Sequence, residues 1–557
     1  MSTSAEILFR IVDVTANHDN SFTMPDKQDF SNFRNLTIAN KTYPKYATLE
    51  DDFWALDGTF DLFPDSPSPQ NFALWSMSMS NETGIFLTPP VLTINFTEPH
   101  TSLGLGLVFD EVCDDWCNSL NIKWYGVSGL ISSKDYQPTS PNFYADNQIE
   151  NYTKIVITFN GTSKPYRYLK LSYIEYGVTT IFDGDELMSA RVLEEVNLLS
   201  SEISINTIDF TVYSEDDRFN IVNPSSVYSY LQKRQQLEAY EYVNGERKYL
   251  GTYYLEEWES DKNKTAKISG VDLLGVIDKT EFLGGMYDNI PASQIITDIM
   301  TSAGAMYEID TGLSDVSLSG YIPICTHREA LQQVAFSIGA VVDCSRSAVI
   351  KISNPSATSS KIIGTDRRFE GSKIKLKSLV TGVEVTAHTY EKNNTSSDLY
   401  KANLQPGTYT IKFSAPAHAL AISGGTIISS GANYAKITVE VAGVVTISGK
   451  GYTDNATIYG VYMPNLPAQE PANVLRVDDA TMVSPSIAAT TAQRIYNYYQ
   501  QRYEHSDVKF VVGDEGVADQ VDVIMDSNRK IAGRVEKMEI NLTGGFVAKA
   551  IISGTSI

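Results

Sequence analysis

The chain has 557 residues, with 44 Lys and Arg against 67 Asp and Glu and a formal net charge of −23. At about 100–200 residues per domain this length predicts roughly three to five domains, and the acidic balance excludes a nucleic-acid coat or an anionic-membrane binder, since both need excess Lys and Arg to neutralise phosphates. Hydrophobic residues at 42% supply several cores and exclude general disorder, while 32 Tyr favour β-sheet and interface surface.

The N-terminus, MSTSAEILFRIVDVTANHD, has neither the cationic start nor the apolar run of a signal peptide. No stretch reaches the roughly 18–20 continuous apolar residues of a membrane span, so no membrane insertion is expected. Cys113, Cys117, Cys325 and Cys344 are too few for a disulfide framework and read as free thiols made in a reducing cytoplasm.

A first strand is predicted over Ile7 to Val14, with Ile7, Phe9 and Ile11 on one face and Arg10 on the other. The run Pro64-Asp-Ser-Pro67-Ser-Pro69 marks a domain entry. From about 70 to 177, apolar runs at Val91 to Ile94, Leu103 to Phe109, Leu120 to Tyr125 and Lys154 to Phe159 predict a jelly-roll-like β-sandwich. A short helix is expected at Pro224. Asn244-Gly245 between two strand-like runs predicts a hairpin, because both residues accept φ > 0.

Two helices follow. Pro291 opens the first, with Ile295, Ile296, Ile299 and Met300 on one face and Gly304 as a left-handed cap. Thr326 and Glu329 form a capping box for the second, whose stripe is Leu331, Val334, Ala335 and Ile338 and which Gly339 ends. Ala340 to Asp343 and Ala348 to Ile352 read as a hairpin, completing a small α+β unit. Residues 403–462 are poor in charge and rich in Ser, Ala and Gly, which predicts a second small β-insertion. The longest helix starts at Ser484-Pro485 and is expected to reach about Glu504, and strands close the chain over Lys509 to Val512, Gln520 to Met525, Gly533 to Leu542 and Phe546 to Ile552.

The fold class expected is therefore mainly β with α+β parts. Motifs for chemistry are missing: there is no HExxH, Walker A, GxGxxG or GxSxG, and the S-x-x-K matches at Ser372, Ser506 and Ser527 lack their companions. No catalytic residue, cofactor or metal ligand is assigned, and the chain is read as a non-enzyme. The carboxylate pairs, among them Asp51-Asp52, Asp110-Glu111 and Asp114-Asp115, read as solvated turn charges, because adjacent residues point apart and cannot face each other across a sugar. The 110–115 loop clusters oxygen ligands without EF-hand spacing. Trp75, Trp124 and Tyr125 are the candidate glycan contacts, against a core-filling role for the same rings. If Trp124 points inward, Tyr125 points outward.

Several segments resemble a known family. Ile290-Pro-Ala-Ser-Gln-Ile-Ile-Thr-Asp-Ile-Met, Gly320-Tyr-Ile-Pro-Ile, Thr326-His-Arg-Glu-Ala-Leu-Gln-Gln-Val-Ala and Arg346-Ser-Ala-Val-Ile-Lys-Ile resemble hub or tail-tip proteins of phages and phage-like particles of Gram-positive bacteria. Asn81 to Phe96, Tyr152 to Leu171 and the C-terminal run from Gly533 to Phe546 are similar to the inserted sandwich and last strands of such proteins. The resemblance implies two hub-type β-barrel domains, 1–65 with 180–285 and 356–400 with 465–557. Between and within them it implies an inserted β-sandwich at 66–179, an α+β domain at 286–355 and a β-insertion at 401–464.

It further implies a homotrimer at the distal end of the tail tube, where two related barrels per subunit make a pseudo-sixfold ring. The expected partners are a second copy, a distal tail or tube protein, the tape measure protein and tip, spike or receptor-binding proteins, with DNA passing unbound during genome ejection. The expected location is the virion tail tip or baseplate, after synthesis in the host cytoplasm. Two other readings stay open: a cell-wall carbohydrate-binding adhesin working through the inserted sandwich in host attachment, and a tail-associated peptidoglycan hydrolase.

Overall fold

Apolar alternation builds the first strand, Thr3–Val12, which buries Ala5, Ile7, Phe9 and Ile11. It lies between Gln236–Val243 and Gly177–Asp183, antiparallel to both. The computed structural model describes residues 2–556 apart from 39–40, 49, 51–53, 63, 65–67, 69–70, 111–112, 185, 214–218, 220–230, 261–263, 314–315, 355–359, 467, 469–470, 502–503 and 526–528. The helix expected at Pro224, most of the Pro64–Pro69 run, and Asp51, Asp52 and Glu111 lie outside the described residues. Strands hold 56% of the chain and helices 11%, which makes it mainly β.

The predicted hairpin forms. Gln236–Val243 turns through Asn244 and Gly245, with φ of 53° and 88°, into Glu246–Ser260, pairing Val243 with Glu246. The sheet continues through Thr265–Val271, Thr207–Tyr213 and Leu187–Glu195. Leu187–Glu195 then pairs with Lys530–Asn541, from Arg191 opposite Asn541 to Glu195 opposite Lys537. Past that ladder come Val547–Ser556, Glu504–Val511 and Lys373–Leu376, with Gln520–Ile524 and Lys361–Ile363 on a side branch, thirteen strands in all. One core serves both halves and holds Phe9, Phe210, Val508, Met538 and Phe546 together.

Lys530–Asn541 changes face midway. Ile531 and Val535 are buried, then Met538 and Ile540, and a bulge after Val535 supplies the odd residue that shifts the phase. The bulge leaves the Glu536 carbonyl to accept the Val196 N–H at 2.9 Å. Gly533 faces Gly554 across the next ladder, where a Cβ on Gly554 would meet the Ala532 oxygen at 2.1 Å and Gly533 Cα at 2.4 Å.

A second sheet has the order Leu74–Met79, Tyr168–Glu175, Val91–Phe109, Asn142–Gly161, Ser119–Gly126 and Gly129–Tyr136, with Asn20–Thr23 on Val91–Phe109. Where a sandwich of short strands is expected, the ladder is one connected sheet with strands of 19 and 20 residues. Register shifts between Asn95 and Gly104 carry the chain through Glu98-Pro99, between the apolar runs Val91 to Ile94 and Leu103 to Phe109. Pro99 has no N–H to donate and sits where the ladder skips. The shifts also move burial from Leu92, Ile94 and Phe96 to Leu105, Leu107 and Phe109. Ala16, Met24 and Leu36 join this second core, and Phe30 and Tyr46 pack on Trp75, so within the first 65 residues it is Thr3–Val12 that enters the large sheet.

The α+β unit follows its sequence signals. Helix Ala292–Ala303 ends on Gly304 at φ 65°, and His327–Ile338 carries the full Thr326/Glu329 capping box and ends on Gly339 at φ 75°. Val341–Asp343 and Ile350–Ser353 form the hairpin, extended by Tyr307–Ile309 in parallel. Gly382–Leu404 runs unbroken across residue 400 and pairs along its length with Gly443–Tyr462, so the 401–464 segment continues a long ribbon and does not start a separate module there. Helix Pro485–Gln501 packs under that ribbon through Ala488, Ala492 and Ile495, and Glu504 already belongs to a strand, three residues short of the expected helix end.

Gly554→Val places a branched side chain into this close approach. It is expected to destabilise the chain by about 1–3 kcal/mol, read as a lowered urea midpoint, whereas Gly545→Ala in the open turn changes little beyond its φ strain.

Candidate functional site: the joints between the units

Sequence periodicity puts Arg10 on the solvent face of its strand, but the second sheet covers that face. The Arg10 guanidinium is mostly buried and donates from Nη1 to Glu175 Oε2 at 3.0 Å and from Nη2 and Nε to Glu238 Oε1 at 3.0 and 3.2 Å. Glu175 comes from Tyr168–Glu175 and Glu238 from Gln236–Val243, so one cation ties two sheets. Burial by itself would lower the Arg10 pKa; the two carboxylates reverse this and raise it well above the usual arginine value. Thr179 Oγ1 donates to the second Glu175 oxygen at 3.0 Å, and Tyr240 OH to the second Glu238 oxygen at 2.7 Å. Each buried carboxylate oxygen is thereby satisfied.

The chain crosses between the sheets twice, side by side. The Asp13 N–H donates to Tyr176 O at 2.8 Å, pinning one crossing to the other. Next to it, His100 is buried between two carboxylates: Nδ1 lies 2.9 Å from Asp13 Oδ2 and Nε2 2.9 Å from Asp19 Oδ2. Asp13 also accepts from Thr15 Oγ1 at 2.6 Å, and a cavity of about 250 Å³ opens beside it, lined by Thr15, Ser102, Tyr176 and Gln232.

A third joint fastens the α+β unit. Arg346 grips the buried Glu194 with two bonds, Nε to Oε1 at 2.8 Å and Nη2 to Oε2 at 3.1 Å. Burial raises the Glu194 pKa, and Arg346 acts against that shift. Nearby, Asp272 caps the short helix Leu273–Ile277 by accepting from Gly275 N at 3.1 Å, and its other oxygen accepts from Asn206 N at 3.1 Å. Burial pushes the Asp272 pKa up to about 7 against those bonds, with Asp343 adding to the rise.

The sequence-predicted aromatic residues lie apart. Trp75 and Trp124 are each 1% exposed. Trp75 packs among Phe30, Phe72 and Tyr46, and Trp124 lies edge-on to Tyr152, so neither offers a ring face to a sugar. Tyr125 points the other way and is half-buried, with the Lys154 amine 4.3 Å from its ring centre. Asp110 and Asp115, expected as solvated turn charges, are buried; Asp115 pairs with Arg167 at 3.2 Å and Lys170 at 3.6 Å, and Lys170 bonds the buried Glu50 at 2.6 Å. Among the described residues, no group of three or more His, Cys, Asp or Glu is placed to hold a metal ion. Sequence reasoning placed Arg10 on the exposed face and missed His100 and Glu194; a lone charge in an apolar alternation, as at Arg10, was the available signal.

No family model and no curated protein matches the chain. It is similar in structure to a tail protein from Neisseria meningitidis MC58, at 10% identity and TM-score 0.42, covering 67% of this chain and 93% of that one. It is also similar to prophage tail protein gp18 from Listeria monocytogenes EGD-e, at 11% identity and TM-score 0.39, covering 68% and 91%. A third likeness is to the 43 kDa tail protein of prophage MuSo2 from Shewanella oneidensis, at 12% identity and TM-score 0.38, covering 67% and 94%. Scores below one half describe partial overlap of chain course and by themselves say nothing of what this chain does.

Arg10→Met leaves Glu175 and Glu238 buried without their cation. It is expected to cost about 3–5 kcal/mol, with protease cleavage appearing near residues 13–20, and the triple variant with Glu175→Gln and Glu238→Gln should recover much of the loss in thermal unfolding. Asp272 holds its proton more tightly folded than unfolded, so its contribution is fully present below about pH 3.8 and is lost as pH rises through about 7. Asp272→Asn should flatten that decline in urea midpoints measured from pH 4 to 8.

Proposed function

We propose that the chain is a structural hub of a phage or phage-like tail, placed at the distal end of the tail tube as a homotrimer through which DNA passes. The observation that carries this reading is the edge-to-edge fusion of two β halves into one sheet over one core, with further units locked onto it by buried charge. Such a body is a wall element, braced across its width by one ladder and one core. The sequence resemblance to tail hubs in the α+β unit and in the last strands points the same way. On this reading the partners are further copies, a distal tail or tube protein, the tape measure protein and spike or receptor-binding proteins. The acidic excess then serves passage, because carboxylates facing a channel repel DNA phosphates.

What the described residues bring together are ion pairs that hold units in place, so the proposed role is assembly and not turnover. Native mass spectrometry of the purified chain, alone and with its neighbouring tail proteins, tests this. Three copies per particle are expected, and a chain that stays monomeric under every assembly condition overturns it.

A further inference from the structure

The large sheet ends on two edges of opposite character. One is Lys373–Leu376, paired on one side by Glu504–Val511 and, among the described residues, by no strand on the other. All four of its residues are exposed, as is Lys377. Strand alternation puts Ile374 and Leu376 on one face and Lys373 and Lys375 on the other, and Leu376 is 63% exposed. Three lysines in five residues stand out in a chain with net charge −23.

The other edge is Gly177–Asp183, paired with Thr3–Val12. Its outer end exposes Ile181 and Asp183, and the next turn exposes Glu186 and Met188. The Tyr213 N–H donates to Glu186 O at 2.8 Å, which brings the exposed Tyr213 to the same corner. Each edge therefore joins large apolar side chains to charge that is of one sign on the edge residues themselves, and the signs are opposite; the strands behind them carry Asp507 opposite Lys373 and the Glu6–Arg247 pair beside Asp183.

We propose that the basic edge Lys373–Leu376 of one copy docks on the acidic edge around Ile181, Asp183 and Glu186 of a second copy. Copies this acidic repel one another at long range, and a local basic strand facing a local acidic corner supplies the attraction and the register. The contact joins two different surfaces, so it is heterologous and can repeat around a closed ring. The inference rests on the reading of the chain as a self-assembling tail hub. Lysines on an edge strand also guard against unwanted pairing, and the two roles make opposite predictions.

The test is a charge swap in the full chain, followed by sedimentation velocity over a concentration series at low and high salt. Lys373→Glu with Lys375→Glu and Lys377→Glu should weaken self-association at least about tenfold, and Asp183→Lys with Glu186→Lys should do the same. Combining all five should restore it to within about threefold, and salt should weaken the wild-type contact. All five positions are exposed, and melting curves check that each variant folds. A lysine variant that assembles normally or more readily, or a combination that fails to restore assembly, overturns the proposed contact and leaves the hub reading standing on another interface. A wild-type chain that never self-associates overturns both.

Discussion

The ladder between Leu187–Glu195 and Lys530–Asn541 is the constraint on which the rest depends. A strand's backbone groups need partners, and each of these two strands finds one in the other half of the chain, some 340 residues away. Once they pair, their inward faces look onto the same interior, and Val192, Met538 and Ile540 enter a single core. The bulge after Val535 is part of this arrangement, since without the extra residue the outer half of Lys530–Asn541 would present the wrong face.

Placing a broad sheet at the centre sets the chemistry of its joints. The second sheet packs on its outer face and buries Arg10, and buried charges need partners. Arg10 finds Glu175 and Glu238; Glu194, on the joining strand and on the same face as the core residues Ala190 and Val192, finds Arg346. Pairs of this kind recover at best the cost of their own desolvation, so their contribution is to geometry more than to stability. Apolar contacts between sheets tolerate sliding, whereas a guanidinium bonded to two carboxylates has one arrangement. At the point where the chain crosses twice, His100 lies within hydrogen-bond distance of both Asp13 and Asp19.

Local signals in the sequence were reliable wherever the structure they specify is local. Asn244-Gly245 takes positive φ at both positions, Thr326 and Glu329 cap each other, and Gly304 and Gly339 end their helices, because neighbours within four residues decide each case. Long strands were harder. Val91–Phe109 reads as two apolar runs, Val91 to Ile94 and Leu103 to Phe109, since a polar stretch with a bulge resembles a turn and only the neighbouring strand distinguishes them. Gly382–Leu404 reads as ending near residue 400 because composition changes there, yet its partner Gly443–Tyr462 keeps the ladder going.

Periodicity, backbone preference and charge count were enough for the mainly β class, the helices and their caps, the hairpin turn at Asn244-Gly245 and the acidic balance. Which charges are buried and which aromatic rings remain available depends on the packing of distant elements. Arg10 lies under a second sheet, Asp115 lies against Arg167 and Lys170, and Trp75 and Trp124 fill cores, because covering a face depends on elements remote in the chain. Alternation tells which side of a strand a residue occupies; what lies on that side is settled by how the sheets come together.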